Sequence, residues 1–161
     1  MGNRAVITTK ENYDNNGTGI YLHWNGGLDS VNAFLAYCKL KGYRAPETDN
    51  YGWSYLATTI GNYFGDGMSI GVDRVDQLDC NNWDNGVYFI ENWHVVGRKY
   101  QPDYEQQHHE LLDMLRDINK KQPEHMQVSD DELRKAAHTY KIEIGEEPEE
   151  PAILHVLDVV Q

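Results

Sequence analysis

The chain opens with two short runs in which apolar and polar side chains alternate. Residues 4–9, rich in β-branched side chains, read as a first strand. Residues 11–17 form a polar turn ending in Asn15-Asn16-Gly17, and residues 19–24 read as a second strand with Ile20, Leu22 and Trp24 on one face. These two segments predict a hairpin. The period then changes. Val31, Phe34, Leu35 and Cys38 recur at i, i+3, i+4 and i+7, which predicts a helix over 28–41 stopped by Gly42. After a loop over 45–50, Leu56, Ile60 and Phe64 place a second helix over 51–64, closed by Gly65-Asp66-Gly67.

A short strand over 68–72 follows, then an acidic irregular stretch over 73–85. Residues 86–90 and 93–99 predict a second hairpin turning at Glu91-Asn92. Pro102-Asp103 opens a long helix over 104–121, capped by Asp103, with a stripe of Tyr104, His108, Leu111, Leu115 and Ile118. Ser129-x-x-Glu132 is a capping box for a helix reaching Tyr140. Residues 146–151 form a charged, Pro-broken linker, and 152–160 read as a final strand. Two hairpins among four helices predict an α+β fold, a mixed and largely antiparallel sheet with about four helices packed on it. The 161 residues fit one domain, in which residues 1–100 form an α/β core and 101–161 an acidic helical extension with the final strand.

Charge changes this picture most. The net charge is −12. Residues 1–100 hold 11 acidic and 8 basic side chains, and residues 101–161 hold 15 and 6, so the acid is concentrated in the second part. Such a field repels phosphate backbones and anionic membranes and attracts basic protein surfaces. Acidity also serves solubility alone, which is the default reading of it. Two cysteines, Cys38 on an apolar stripe and Cys80 in the acidic loop, predict a reducing compartment and no disulfide framework. There is no run of apolar residues long enough for a signal peptide or a membrane span, so the expected location is cytoplasmic.

The most specific local pattern is Asn25-Gly26-Gly27-Leu28-Asp29-Ser30, set between a predicted strand and a predicted helix. It resembles the PP-loop of the ATP-pyrophosphatase family, whose fingerprint is Ser-Gly-Gly-x-Asp-Ser in that setting. The resemblance implies nucleotide binding at Asn25, Gly26, Gly27, Asp29 and Ser30. The glycines would bring backbone N–H groups to phosphate, Asp29 would orient magnesium and Ser30 would donate to a phosphate oxygen. Asn25 replaces the first serine, and the predicted helix leads into a loop rather than a parallel strand. The alternative is a plain Gly-Gly turn with Asp29 or Ser30 as a helix cap. Elsewhere, His109 and Asp113 share a helical spacing beside His108, but no second ligand cluster accompanies them, and no metal site or cofactor is assigned. Asp73, Asp76 and Asp79 lack the Gly and Glu positions of an EF-hand loop, and no serine has a nucleophile motif around it.

Trp24, Trp53, Trp83 and Trp93, with eleven Tyr, are interleaved with Asn, Asp and Gly. Part of this set is core, and the rest fits an interface, where Trp and Tyr contribute large contact area at low entropic cost. Gly2-Asn-Arg-Ala-Val-Ile-Thr and Tyr21-Leu-His-Trp-Asn-Gly-Gly give the chain its likeness to small proteins of phages and other mobile elements. Small acidic proteins in that setting, without a catalytic signature, resemble anti-CRISPR and antirestriction inhibitors. The resemblance implies a non-catalytic protein that blocks a basic, nucleic-acid-binding host defence protein, a Cas9-type nuclease above all. The expected contacts are Asp73, Asp76, Asp79, Trp83 and Asp84, followed by Asp130, Asp131 and Glu132, and then Glu146, Glu147, Glu149 and Glu150. A nucleotide-binding enzyme on the 25–30 loop and a structural or assembly protein of a mobile element stand as the other expectations.

Overall fold

A computed structural model of the chain describes residues 2–66, 69–105 and 108–148. Five strands form one sheet: β1 (Ala5–Thr8), β2 (Thr18–Leu22), β3 (Ile70–Arg74), β4 (Val87–Glu91) and β5 (His94–Lys99), in the order β3-β2-β1-β4-β5. Only β1 and β4 pair in parallel; the other three pairings are antiparallel. The fold is therefore α+β with a mixed, mostly antiparallel sheet. The helices are α1 (Lys10–Asn15), α2 (Leu28–Leu40), α3 (Tyr51–Phe64), α4 (Leu111–Lys120) and α5 (Asp130–Glu143). No helix among the described residues is long and apolar enough to cross a membrane.

Period-two alternation decides which side chains meet. Ala5 and Ile7 of β1, Ile20 and Leu22 of β2, and Tyr88 and Ile90 of β4 point to one face. The buried sides of α2, α3, α4 and α5 cover that face in a single cluster. Helix α2 is its centre, buried from Asp29 to Cys38. Leu111, Met114, Leu115 and Ile118 of α4 and Leu133, Ala137 and Tyr140 of α5 belong to the same cluster, so residues 111–143 are part of the main core rather than an appendage to it. Burying a Leu or Ile side chain here contributes about 1.5–3 kcal/mol. The opposite face carries Val6, Val87 and Phe89 under Tyr13, Tyr21, Leu78 and Cys80. That thinner layer is made by α1 and by the chain that follows β3.

Four local expectations are corrected. Most of the turn predicted over 11–17 is helix α1, Lys10–Asn15: Thr9 Oγ accepts from the Asn12 amide at 3.0 Å, and Asn16 ends the helix in the left-handed region. A single polar turn that buries no residue fully has no apolar period to reveal it. The β4–β5 turn is made by Asn92 and Trp93, both at positive φ, where 91–92 was expected. Trp93 takes a conformation normally left to Gly because its buried indole donates from Nε1 to Tyr43 O at 2.8 Å. The helix predicted over 104–121 begins only at Leu111, capped by the Glu110 side chain and not by Asp103. Asp73, placed in an irregular stretch, lies in β3, paired with Gly19 of β2. At the predicted capping box Ser129 caps α5, its Oγ accepting from the Glu132 amide at 3.2 Å, while the Glu132 carboxylate meets the Ser129 hydroxyl at 3.5 Å. The expected final strand over 152–160 lies outside the described residues.

Candidate functional site

The residues of the 25–30 loop are engaged inside the protein. Asn25 turns the chain after β2 at a φ of 56° and donates from Nδ2 to Ser30 Oγ at 3.2 Å. Gly26 packs directly on β1: a Cβ there would lie 2.4 Å from Asn3 O, so no other residue fits. Its carbonyl accepts from the buried Tyr88 hydroxyl at 2.6 Å. Gly27, not Asp29 or Ser30, occupies the cap position of α2 and contributes no side-chain bond. The Asp29 carboxylate is 9% exposed and accepts three amides: Ser30 N at 2.8 Å, and His108 N and His109 N at 3.0 Å each. That carboxylate straps the His108–His109 backbone to the start of α2. It also explains why the predicted helix is cut short, since two amides of its proposed first half are committed to Asp29. Ser30 is buried beside it. The acid that a PP-loop would turn toward magnesium thus has a structural use here. Among the described residues, no group of three or more His, Cys, Asp and Glu is placed to hold a metal ion, and His109 with Asp113 gathers no further ligand.

The acidic candidates do not gather into one surface. Leu78 and Cys80 pack on the Val6–Val87–Phe89 face of the sheet, whereas Leu133, Ala137 and Tyr140 pack on the other. Asp76 and Asp79, beside Tyr13, Leu78 and Cys80, therefore lie on the opposite side of the sheet from the acids of α5, while Asp84 sits at the end of the sheet. Many also carry their own counter-charge. Asp130 bridges Arg116 and Arg134, Asp131 meets Lys135 at 3.2 Å, and Glu147 meets His138 and Lys141. Asp76 lies 4.0 Å from Arg74. Glu132 sits against Ser129 at the cap of α5, and Glu146 lines small hollows beside Asn32 and Ile144. Glu149 and Glu150 lie outside the described residues.

One part of the central stretch is built differently. Asn82 is fully buried and its side chain ties residues 79–86 together. Its Oδ1 accepts the amides of Asp84, Asn85 and Gly86 at 3.0–3.1 Å, and its Nδ2 donates to Asp79 O, Cys80 O and Gly86 O at 3.0–3.4 Å. The loop is rigid, and at its tip Trp83 stands 89% exposed with φ at 64°. A bulky side chain in that region of backbone space is uncommon and strained. Beside it, Asp84 Oδ2 accepts from the Arg4 amide at 3.0 Å and from Arg4 Nε at 2.7 Å, and Asp79 lies 3.6 Å from the same guanidinium. Partial burial pushes the Asp84 carboxyl up, and the bonds and charge of Arg4 more than offset that, leaving it below its ordinary value.

Trp83 and Asp84 form part of a cleft of about 570 Å³ at the end of the sheet where β1 and β4 begin. Gly2, Asn3, Gly27, Asn85, Pro102 and His108 contribute to it, as do Asp103 and Tyr104. Tyr104 is 71% exposed, although its place on an apolar stripe predicted packing. In the sequence Asp103 and Tyr104 signal only the start of a helix, and Asn82 and Arg4 carry no signal beyond their types. Their grouping depends on the strap held by Asp29, which no local pattern encodes. Compared with known protein families, curated proteins and solved structures, the chain matches none.

Proposed function

We propose that the protein is a non-catalytic binding protein of a mobile element, which docks an acidic, aromatic surface on a basic nucleic-acid-binding host protein and obstructs it. The observation that carries this reading is Trp83, held 89% exposed on a loop made rigid by Asn82. An indole kept in water at a strained φ weakens the free protein. It suits a residue whose burial is completed by a partner, and Trp is the residue most enriched at interface hot spots. Asp79, Asp84 and Asp103 near it, and the net charge of −12, favour a basic partner and oppose a nucleic acid. The division of the acids between two sides of the sheet narrows the expected contact to this end of the molecule.

A guide-loaded Cas9-type nuclease is the leading partner, because its guide and target channels are strongly basic. Target cleavage by a panel of such nucleases is measured with and without the protein over a range of salt. The reading expects inhibition that weakens as salt rises and falls at least tenfold in Trp83→Ala. Cleavage that is unaffected across the whole panel removes the nuclease as partner.

A further inference from the structure

We propose that the cleft between Trp83 and Tyr104 takes a planar cation, the guanidinium of an arginine side chain presented by the partner. This rests on the binding-protein reading and adds the chemistry that the site selects. The cleft volume of about 570 Å³ lies within the usual range for small-ligand pockets, about 300–1,000 Å³. Its two large side chains, Trp83 and Tyr104, are both exposed aromatics that line it. Its carboxylates are Asp84 and Asp103, and no Lys or Arg is among its lining residues. Arg4 stands behind Asp84 and engages Oδ2, leaving Oδ1 without a hydrogen bond to any described residue. Asp103 likewise forms no hydrogen bond or ion pair with the described residues. Counting Asp79, Asp84 and Asp103 against Arg4 and the N-terminal amine, whose charge also reaches Asp84, the neighbourhood keeps a charge of −1.

That combination discriminates among ligands. A phosphate would be drawn by the start of α2 at Gly27, whose helix dipole is worth about half a positive charge, but it would meet two carboxylates. A neutral aromatic would stack and leave both acids uncompensated. A guanidinium does both: it stacks on an indole or phenol face and pairs in its own plane with a carboxylate. An ammonium satisfies the charge but is more strongly hydrated and cannot stack, so arginine is favoured over lysine.

The test uses the full chain at low salt with three probes: a short acetylated, amidated peptide bearing two arginines, the same peptide with lysines, and inorganic pyrophosphate. Binding is followed by calorimetry and by tryptophan fluorescence. The arginine peptide is expected to bind and change the emission, and the lysine peptide to bind several-fold more weakly. Trp83→Ala, Tyr104→Ala and Asp103→Asn each weaken the arginine peptide by about five- to thirty-fold. All three positions are exposed, and an unchanged melting curve verifies that each variant folds. Equal binding to the parent and to all three variants overturns the proposal, as does a preference for pyrophosphate. The two readings also fail separately. Nuclease inhibition that falls in Trp83→Ala but survives Tyr104→Ala and Asp103→Asn overturns the cleft and leaves the inhibitor reading standing. Peptide binding as expected with no nuclease inhibited supports the cleft and removes the nuclease as its partner.

Discussion

Replacing Asn82 by Ala tests whether the Trp83 loop is a built feature or an incidental turn. The side chain makes six hydrogen bonds from a fully buried position. They are not equally costly to lose. Asn85 N keeps a second partner in Arg4 O at 3.1 Å, and Gly86 O keeps one in Val6 N at 2.9 Å. The amides of Asp84 and Gly86 lose their acceptor outright, the first half-buried and the second buried, and a buried donor left without a partner costs about 1–3 kcal/mol. Water entering the vacated space recovers part of this, so the expected loss is about 3 kcal/mol. For a chain of this size that lowers the melting temperature by about 6–12 °C. Urea unfolding monitored by circular dichroism gives the free energy, and amide exchange at Asp84, Asn85 and Gly86 localises it. Asn82→Ala is also expected to weaken whatever Trp83 binds, because the indole is no longer pre-positioned. A loss below about 1 kcal/mol, with exchange at those three amides unchanged, would refute the account of the loop.

Three further outcomes follow from other parts of the fold. Asp29→Ala removes the acceptor of the His108 and His109 amides, so exchange there accelerates and stability falls by about 2 kcal/mol, the worth of charge-assisted bonds; protection that persists would show that the strap is held by something else. The hydrogen bond from Lys141, the largest influence, holds the Glu110 carboxyl below its ordinary 4.5. Its contribution to stability is therefore complete above that value and is lost as the pH falls through the lower folded-state value, and Glu110→Gln flattens this acid limb in a comparison of unfolding at pH 6 and pH 3. Burial pushes the Cys38 thiol up to about 12, with a small opposing pull from Thr59, so a disulfide reagent at pH 8 modifies Cys80 alone until the protein is unfolded; two thiols titrating in the native state would contradict the packing around α2.

The reach of sequence reading follows the range of the forces involved. Helix α3 was legible from Leu56, Ile60 and Phe64, and α2 from Val31, Phe34, Leu35 and Cys38, because a helix that buries one face writes its period into its own residues. The strands were legible for the same reason, and Ser129 with Glu132 announced α5. Residues 104–110 misled because their local preference is helical, yet two of their amides bond a carboxylate some eighty positions earlier in the chain. Trp83 was singled out as an aromatic among acids, but its 89% exposure follows from Asn82. Asp103 and Tyr104 could not be joined to it by any spacing.

Amphipathic period, capping chemistry and net charge are local or additive properties, and they determined by themselves the α+β class, the positions of α2, α3 and α5, and the acidic field. Tertiary structure alone decided that the acids lie on two sides of the sheet, that Asp29 holds a strap, and that Trp83, Asp84, Asp103 and Tyr104 share one cleft. The physical reason is that strand pairing and the Asp29 bonds bring together groups 20 to 80 positions apart. Their meeting depends on which face each strand turns to the core, and no segment carries that information alone.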